Sequence, residues 1–301
     1  MFNRLALIGM GLIGSSIARA ARAQGVVKTI VATARSPQTR QRVKELGIAD
    51  EVVDNNAAAV KDADLVIVCI PVGASGAVAK EIGAQLKPGA IISDVGSVKG
   101  AVLRDMAPHL PKGVHFIPGH PVAGTEYSGP DAGFAELFVN RWCIVTPPPS
   151  ADPAAIERVS ELWRRVGADV EIMDPAHHDL VLAVTSHLPH LIAYTIVGTA
   201  SDLEDVTQSE VIKYSAGGFR DFTRIAASDP TMWRDVFLSN REAVLDMLQR
   251  FTEDLTSLQR AIRWGKGDEL FDLFTRTRAI RRSIIDQGQD DAAPDFGRQH
   301  D

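Results

Sequence analysis

The stretch LALIGMGLIGSSIARAARAQG, residues 5–25, decides the fold. It runs from an apolar strand pattern through Gly9, Gly11 and Gly14 into an alanine-rich helix pattern. In this GxGxxG spacing the first glycine permits a tight turn, the second lets the backbone approach a pyrophosphate, and the third lets the helix pack on the strand. Free amides at the helix N-terminus favour the anion. The stretch predicts a dinucleotide site; the alternative is a glycine-rich turn that serves packing alone.

The position that reads the nucleotide's ribose lies about 20 residues further on, at the end of the second strand, and holds an acid in most NAD-dependent enzymes. This sequence has Ala34, Arg35 and Ser36 there, and residues 28–44 contain no carboxylate. An arginine and a hydroxyl suit a 2′-phosphate, so NADP is favoured. NAD stays possible if Arg35 is only a solvated surface residue. The nucleotide-binding residues we expect are Gly9, Gly11, Leu12, Ile13, Gly14, Ala34, Arg35, Ser36, Ile70 and Pro71.

The rest of the chain divides into two kinds of pattern. Through residue 173, short β-branched runs alternate with helical patterns, which predicts an α/β fold with a Rossmann-type, mostly parallel sheet. After Asp174 the strand patterns stop and long segments with helical periodicity follow. We predict a dinucleotide-binding domain at 1–173, an all-helical domain at 174–288, and a disordered tail at 289–301. A cleft between the two domains is the expected ligand site.

Composition narrows the classes of partner and the cellular location. The 301 residues are 45% hydrophobic, and 32 basic against 38 acidic residues give a formal charge of −6, with no basic run for nucleic acid or lipid headgroups. Cys69 and Cys143 lie in strand-like apolar runs, as expected of reduced thiols. Met1 leads directly into a strand pattern, and no apolar stretch approaches about 18 residues. We therefore expect a soluble, cytoplasmic protein that binds neither nucleic acid nor membrane.

Two stretches near strand ends carry groups suited to acid–base chemistry. FIPGHPVAGTE, residues 116–126, holds His120 in a segment too rich in glycine and proline to be a helix or a regular strand. A histidine at a strand end beside a cofactor can act as general base, although lone histidines are more often structural. Ser97, in SDVGSVKG, can hydrogen-bond a substrate hydroxyl or serve only as a turn or N-cap serine.

The helical half offers a histidine pair in VTSHLPHLIAY, residues 184–194. His187 and His190 are three residues apart and therefore share a helix face, with Pro189 expected to kink the helix between them. Such a pair can bind a metal, but no third ligand stands at suitable spacing, so no metal is expected. The adjacent His177 and His178 are interpreted as surface residues at a helix N-terminus.

A second helical stretch, SAGGFRDFTRIAASDPTMWRD at 215–235, carries a glycine pair that interrupts the helical pattern and two arginines near Asp221. Arginine can grip a carboxylate by two parallel hydrogen bonds. The alternative is a salt-bridged surface helix, and the spacing alone leaves both open.

Five motifs in this order, GMGLIGSS, DVGSVKG, GHPVAGTE, TSHLPH and GGFRDFTRIAASDPTMWRD, resemble those of the prephenate/arogenate dehydrogenase family, especially its bacterial cyclohexadienyl dehydrogenases. The resemblance runs from residue 1 to about 285. It implies a homodimer that oxidatively decarboxylates prephenate or arogenate with NAD(P) on the way to tyrosine. It further implies that His120 accepts the ring hydroxyl proton and that Ser97 bonds the same hydroxyl. The implied substrate-binding residues are His190, Arg224, Glu126, Thr125, His187 and Trp233.

Two alternatives remain at this point. One is a Rossmann-type β-hydroxyacid or imine oxidoreductase, which usually has a catalytic lysine in the helical domain; here only Lys213 stands near that place. The other is a non-catalytic nucleotide-sensing protein built on the same fold. The choice between prephenate and arogenate also stays open.

Overall fold

The computed structural model describes residues 2–125, 127–202 and 213–286. The chain forms two compact units, Met1–Leu245 and Asp246–Asp301. The helices up to Leu245 thus belong to one compact unit with the strands. The domain limits 1–173 and 174–288 remain a prediction from sequence, and the predicted tail at 289–301 lies outside the described residues.

A parallel six-stranded sheet in the order β3-β2-β1-β4-β5-β6 is the centre of the first unit. This arrangement confirms the predicted Rossmann-type sheet, and it adds one short strand that the sequence patterns did not indicate, Glu51–Val52. The strands are β1 Phe2–Ile8, β2 Val27–Thr33, β3 Glu51–Val52, β4 Leu65–Val68, β5 Ile91–Asp94 and β6 His115–Phe116.

Alternate residues of the central strands face two separate apolar layers. In β1, Leu5 and Leu7 lie in one buried cluster, while Ala6 and Ile8 lie in the other. Burial on both faces is typical of a parallel sheet covered by helices. The second layer also contains Trp233 from the helical half. Apolar packing in this second layer therefore holds Trp233 against the sheet.

A second, three-stranded sheet corrects the expectation that all strands share one sheet. Its strands are β7 Gly119–Pro121, β8 Trp142–Val145 and β9 Asp169–Ile172, with β7 antiparallel and β9 parallel to β8. His120 is the middle residue of β7 and is paired with Ile144. Part of the glycine- and proline-rich segment 116–126 is therefore a regular strand. Proline is tolerated there because it ends a short strand at the edge of its sheet.

Six helices connect or cover the strands: α1 Leu12–Ala23, α2 Pro37–Glu45, α3 Asn56–Val60, α4 Ser75–Ile82, α5 Lys99–Met106 and α6 Pro153–Arg165. Capping side chains explain where two of these helices begin. Ser36 caps α2 and Asp152 caps α6 through side-chain oxygens that accept backbone N–H groups. Helix α5 has no such cap of its own, since its N-cap residue is Val98.

The described residues after β9 are helical, as predicted. They form α7 Pro175–Leu182, a π-helical turn Ala183–His187, α8 Leu188–Asp202, α9 Gly217–Thr223, a short 3-10 helix Arg224–Ala227, α10 Pro230–Ser239, α11 Arg241–Arg263 and α12 Gly267–Asp286. The glycine pair does not interrupt a helix, since α9 begins at Gly217. The π-helical turn Ala183–His187 lies before Pro189, and Pro189 itself lies within α8.

One helical run corrects the expectation about membrane-spanning length. The continuous helix Pro175–Asp202 is long and apolar enough to cross a membrane by length and composition alone. It also carries buried polar side chains, including His178, Asp179 and His187. These groups make contacts within the first compact unit.

Candidate active site

The glycine turn after β1 has the geometry that the sequence predicts. Gly9 has φ +97°, and a Cβ there would collide with the carbonyl oxygen of Cys69 on the neighbouring strand end. A Cβ on Gly14 would collide with the carbonyl oxygen of Gly9, so this glycine sets the close approach of α1. A Cβ on Gly11 would meet nothing within 4 Å. The open space at Gly11 is where a pyrophosphate can approach the backbone.

The turn after β2 is fixed by an arginine that the sequence reasoning passed over. Arg40 donates to the carbonyl oxygens of Ala34 and Arg35 at 2.7 and 3.1 Å and forms an ion pair with Asp54 at 3.3 Å. The Arg35 side chain is exposed and makes no ion pair within the described chain, while the Ser36 hydroxyl accepts the Thr39 amide at 3.3 Å. The turn therefore presents the Arg35 guanidinium without an ion pair among the described residues, and the Ser36 hydroxyl also stabilises the start of α2.

His120 lies at the carboxyl edge of the parallel sheet, the same edge as the glycine turn. The adjacent Gly119 amide donates to Asp94 at the end of β5, at 3.3 Å. His120 is 7% exposed. Burial lowers its pKa well below the ordinary value of 6.5, with His178, Lys99 and His187 acting in the same direction. The imidazole is therefore neutral at pH 7, as a group must be that accepts a proton.

The nearest polar partner of His120 is a residue that sequence reasoning placed on the surface. The Nδ1 atom of His120 is 2.8 Å from Nε2 of His178, whose side chain is fully buried. His178 in turn places Nδ1 2.8 Å from Oδ1 of Asp179. The interpretation of His178 as a surface residue is wrong, because α7 turns that face toward the sheet; only His177 is exposed.

Asp179 links the hydrogen-bonded side chains of His120 and His178 to α5. Its carboxylate accepts the backbone N–H groups of Lys99 and Gly100, each at 2.8 Å. It thus supplies the N-terminal cap that Val98 cannot, from 79 and 80 residues away in sequence. No local pattern indicated this role, since the sequence offered Ser97 as a possible N-cap residue, whereas the N-cap residue in the structure is Val98.

A buried ion pair lies beneath the same site. The Lys99 ammonium donates to Asp94 Oδ2 and to the Gly119 carbonyl oxygen, both at 2.6 Å, and is fully buried. Burial lowers the pKa of Lys99, and the Asp94 carboxylate opposes that shift. The pair ties the end of β5 to the start of β7 and so fixes the backbone beside His120. Sequence reasoning assigned no role to either residue.

Other residues expected at the site lie in loops around it. Ser97 is half-buried in the loop before α5, two positions from Lys99. Thr125 is exposed, and its Oγ1 accepts the Tyr127 amide at 3.2 Å. Glu126 lies outside the described residues. At the end of β4, Ile70 is half-buried and Pro71 is exposed, and a Cβ on Gly9 would reach the Ile70 side chain at 2.8 Å.

The helical residues expected to bind substrate do come together. The rings of His190 and Trp233 stack with centroids 3.6 Å apart, and His187 meets the same indole edge-on at 6.1 Å. Burial lowers the pKa of His190, and the positive charge of Arg224 contributes to that shift. Arg224 is itself exposed and partnered. These four residues therefore form one group, which the chemical reasoning from spacing alone could not establish.

Two buried N–H groups in this cluster have no hydrogen-bond partner within the described chain, Nε1 of Trp233 and Nε2 of His187. The Asn240 amide donates to His187 Nδ1 at 3.1 Å, so the proton of this neutral ring lies on Nε2. Burial lowers the His187 pKa to about 4.

The histidine pair makes other contacts than a metal site would need. His190 Nδ1 donates to the Ser186 carbonyl oxygen at 2.9 Å, and His187 bonds Asn240. In the described part of the chain, no group of three histidine, cysteine or acidic residues is arranged to hold a metal ion.

Comparison with known proteins covers both halves of the chain. Residues 17–172 match the family model of the prephenate dehydrogenase nucleotide-binding domain, and residues 174–276 match that of its dimerization domain. The chain is 43% identical to the cyclohexadienyl dehydrogenase of Zymomonas mobilis, over 94% of this chain and 97% of that protein.

Two solved structures extend the comparison. The prephenate dehydrogenase of Aquifex aeolicus, in complex with hydroxyphenyl propionate and NAD+, is 34% identical with a TM-score of 0.88, covering 94% of this chain and 99% of that one. The arogenate dehydrogenase of Synechocystis is 26% identical with a TM-score of 0.78, covering 93% of this chain and 99% of that one. Similarity therefore spans the sheet, the site and the helices.

Proposed function

The chain belongs to the prephenate dehydrogenase family, and from this we infer which of its residues perform the chemistry. It is an NAD(P)-dependent oxidoreductase of tyrosine biosynthesis that oxidatively decarboxylates prephenate, arogenate or both. The observation that carries our assignment of roles is the buried, neutral His120 at the carboxyl edge of the sheet, on the same edge as the glycine turn.

His120 is proposed as the general base. As hydride leaves the ring carbon that bears the hydroxyl, the hydroxyl proton becomes strongly acidic, and a neutral imidazole can take it. The low pKa of His120 keeps the ring unprotonated between turnovers. Ser97, on the neighbouring loop, is proposed to hydrogen-bond the same hydroxyl and so to orient it. Loss of carbon dioxide then makes the ring aromatic.

The helical cluster is proposed to bind the acidic part of the substrate. Arg224 supplies the positive charge for a carboxylate, and His190 and Trp233 form the adjoining wall. The stacking of His190 on Trp233, within reach of the Arg224 charge that lowers the His190 pKa, supports this assignment. Thr125 and Glu126 are proposed for the loop at the entrance.

The pyridine nucleotide fits the turn after β1, since Gly11 leaves open space in front of the first amides of α1. When bound, the nucleotide accepts the hydride. Gly9, Gly14, Leu12 and Ile13 would hold the diphosphate region, and Ile70 and Pro71 would form the opposite side. We favour NADP over NAD, because the exposed Arg35 makes no ion pair within the described residues and no carboxylate occupies positions 34–36.

The helical half is proposed to form a homodimer. Its last two described helices expose large apolar side chains, such as Phe271 at 70% and Ile262 at 66%. A monomer rarely leaves so many exposed on one pair of helices. We retain a cytoplasmic location, no nucleic-acid or membrane partner, and the domain limits 1–173 and 174–288 as parts of the proposal.

The assay that tests the function measures reduced nicotinamide by its absorbance in a grid of prephenate or arogenate with NAD or NADP. We expect turnover with at least one acid and a lower KM for NADP than for NAD. Absence of turnover in all four combinations, with nucleotide binding shown by calorimetry, would exclude the assigned reaction. A lower KM for NAD would overturn only the cofactor preference.

A further inference from the structure

A chain of three buried side chains ends at the proposed base. Asp179 Oδ1 lies 2.8 Å from His178 Nδ1, and His178 Nε2 lies 2.8 Å from His120 Nδ1. The exposed fractions are 9% for Asp179, 0% for His178 and 7% for His120. The three groups come from α7 and β7, about 58 residues apart in sequence. Only the tertiary fold brings them into line.

The acceptor at one end fixes the proton positions along the chain. The Asp179 carboxylate already accepts two backbone N–H groups from the start of α5, so it acts as an acceptor toward His178 as well. His178 Nδ1 therefore carries a proton. Burial lowers the His178 pKa, so the ring is neutral and its Nε2 has a free lone pair. His120 must then donate from Nδ1, which leaves its Nε2 without a proton.

We propose that His178 and Asp179 are positioning residues that hold His120 in the tautomer with a bare Nε2, ready to take the proton of the substrate hydroxyl. This inference rests on the proposed role of His120. In that step the substrate O–H bond breaks and the Nε2–H bond of His120 forms. The positive charge that results on His120 is shared through the Nδ1–H hydrogen bond with His178, next to the Asp179 carboxylate.

The charged groups around His120 and His178 favour this arrangement of protons. From α5, the Lys99 ammonium disfavours a proton on His120 and on His178. Its partner Asp94, at the end of β5, acts in the opposite sense on His178. His187, from the π-helical turn, also lowers the pKa of His120. In the resting enzyme both imidazoles are therefore neutral, and a single tautomer satisfies all the hydrogen bonds.

The first experiment compares three variants of the full-length enzyme in steady-state assays with the preferred substrate and nucleotide. His178→Leu removes the acceptor, and kcat should fall by about 100-fold or more. His178→Gln can accept from His120 and donate to Asp179 in the same direction, so kcat should stay within about tenfold of wild type. His177→Gln, at the exposed neighbour, should be unchanged. KM and nucleotide Kd should stay within about twofold in all three.

Two results of this assay would overturn the proposal: wild-type kcat in His178→Leu, or equal losses in His178→Leu and His178→Gln at unchanged thermal unfolding temperature. If His178→Leu does not fold, an NMR measurement on the wild-type enzyme decides. In wild-type enzyme with ¹⁵N-labelled histidine, NMR should show the His120 proton on Nδ1, with the signal assigned by its absence in His120→Asn.

A proton on His120 Nε2 in the resting enzyme would overturn the proposal whatever the kinetics show. Because the NMR measurement needs no turnover, its outcome is independent of the assigned reaction. Failure of the proposed function would appear instead as absence of reduced nicotinamide from the wild-type enzyme with both acids.

Discussion

The glycine turn after β1 and the hydrogen-bonded side chains His120, His178 and Asp179, here called the histidine chain, both lie at the carboxyl edge of the parallel sheet. They are nevertheless built differently. The turn uses backbone geometry and the absence of side chains within six residues, Gly9 to Gly14. The histidine chain uses three buried side chains from two distant segments, His120 and the adjacent His178 and Asp179. A site made of local backbone is visible in the sequence, whereas a site made of long-range side-chain contacts is visible only as separate residues.

This difference also affects how each region should respond to change. The glycine turn tolerates no added volume at two of its three glycines. The histidine chain depends on proton positions, so it should respond to isosteric replacement and to pH while the fold stays intact. The following experiments test whether the two regions fail in these separate ways.

The largest expected effect is on turnover. His120→Asn should reduce kcat by about 100-fold or more, because the substrate hydroxyl loses its proton acceptor, while nucleotide affinity stays near wild type. Steady-state assays and calorimetry with the nucleotide measure the two effects. His109→Asn, at an exposed histidine, is the matched control and should behave as wild type. Parallel loss of turnover and nucleotide affinity would show that His120 is structural.

Acid should weaken the fold through the buried histidines. The folded-state pKa of His187 is about 4 against an ordinary 6.5, so between these values only the unfolded chain binds the proton. The free energy of unfolding should fall as pH drops through this window, by up to about 3 kcal/mol from this group. The lowered pKa values of His120 and His178 act in the same direction.

Urea unfolding at fixed protein concentration, from pH 7 to pH 4.5, measures this dependence. The variant His187→Gln should show a smaller fall than wild type, and His109→Gln the same fall as wild type. An identical pH dependence in wild type and His187→Gln would contradict the assignment to His187.

Two glycine variants separate packing from ligand approach at the turn. Gly14→Ala should lower the free energy of unfolding by about 1–3 kcal/mol, since the new Cβ collides with the Gly9 carbonyl oxygen. Gly11→Ala meets open space, so it should keep its stability but bind nucleotide about tenfold more weakly. Thermal unfolding and nucleotide calorimetry provide the two readouts. Normal nucleotide affinity in Gly11→Ala would place the pyrophosphate elsewhere.

The smallest expected effect concerns cofactor choice. Arg35→Ala should raise the Kd for NADP about tenfold, by loss of a charge-assisted hydrogen bond, and leave the Kd for NAD unchanged. The exposed Lys44→Ala on α2 controls for the general loss of positive charge. Equal effects of the two substitutions on NADP would indicate that Arg35 does not contact the 2′-phosphate.

Much of the fold follows from patterns that extend over a few residues. The alternation of strand and helix patterns predicted the parallel sheet, and the three glycines predicted the turn after β1, because both depend on local backbone preferences. The second sheet was not predicted, since the register that pairs His120 with Ile144 depends on residues 24 positions apart. The helical cluster of His187, His190 and Trp233 was expected from the family resemblance, and the structure brings these residues together.

The sequence by itself determined the glycine turn, the alternation of strands and helices followed by an all-helical half, and which residue types can take a proton or grip a carboxylate. The tertiary structure alone decided that His178 is buried, that Asp179 caps a helix formed by a distant segment, and that Lys99 and Asp94 pair beneath His120. The physical reason is that a side chain's burial and hydrogen-bond partners depend on which surface its helix face meets. That surface belongs to another part of the chain, and short-range spacing carries no information about it.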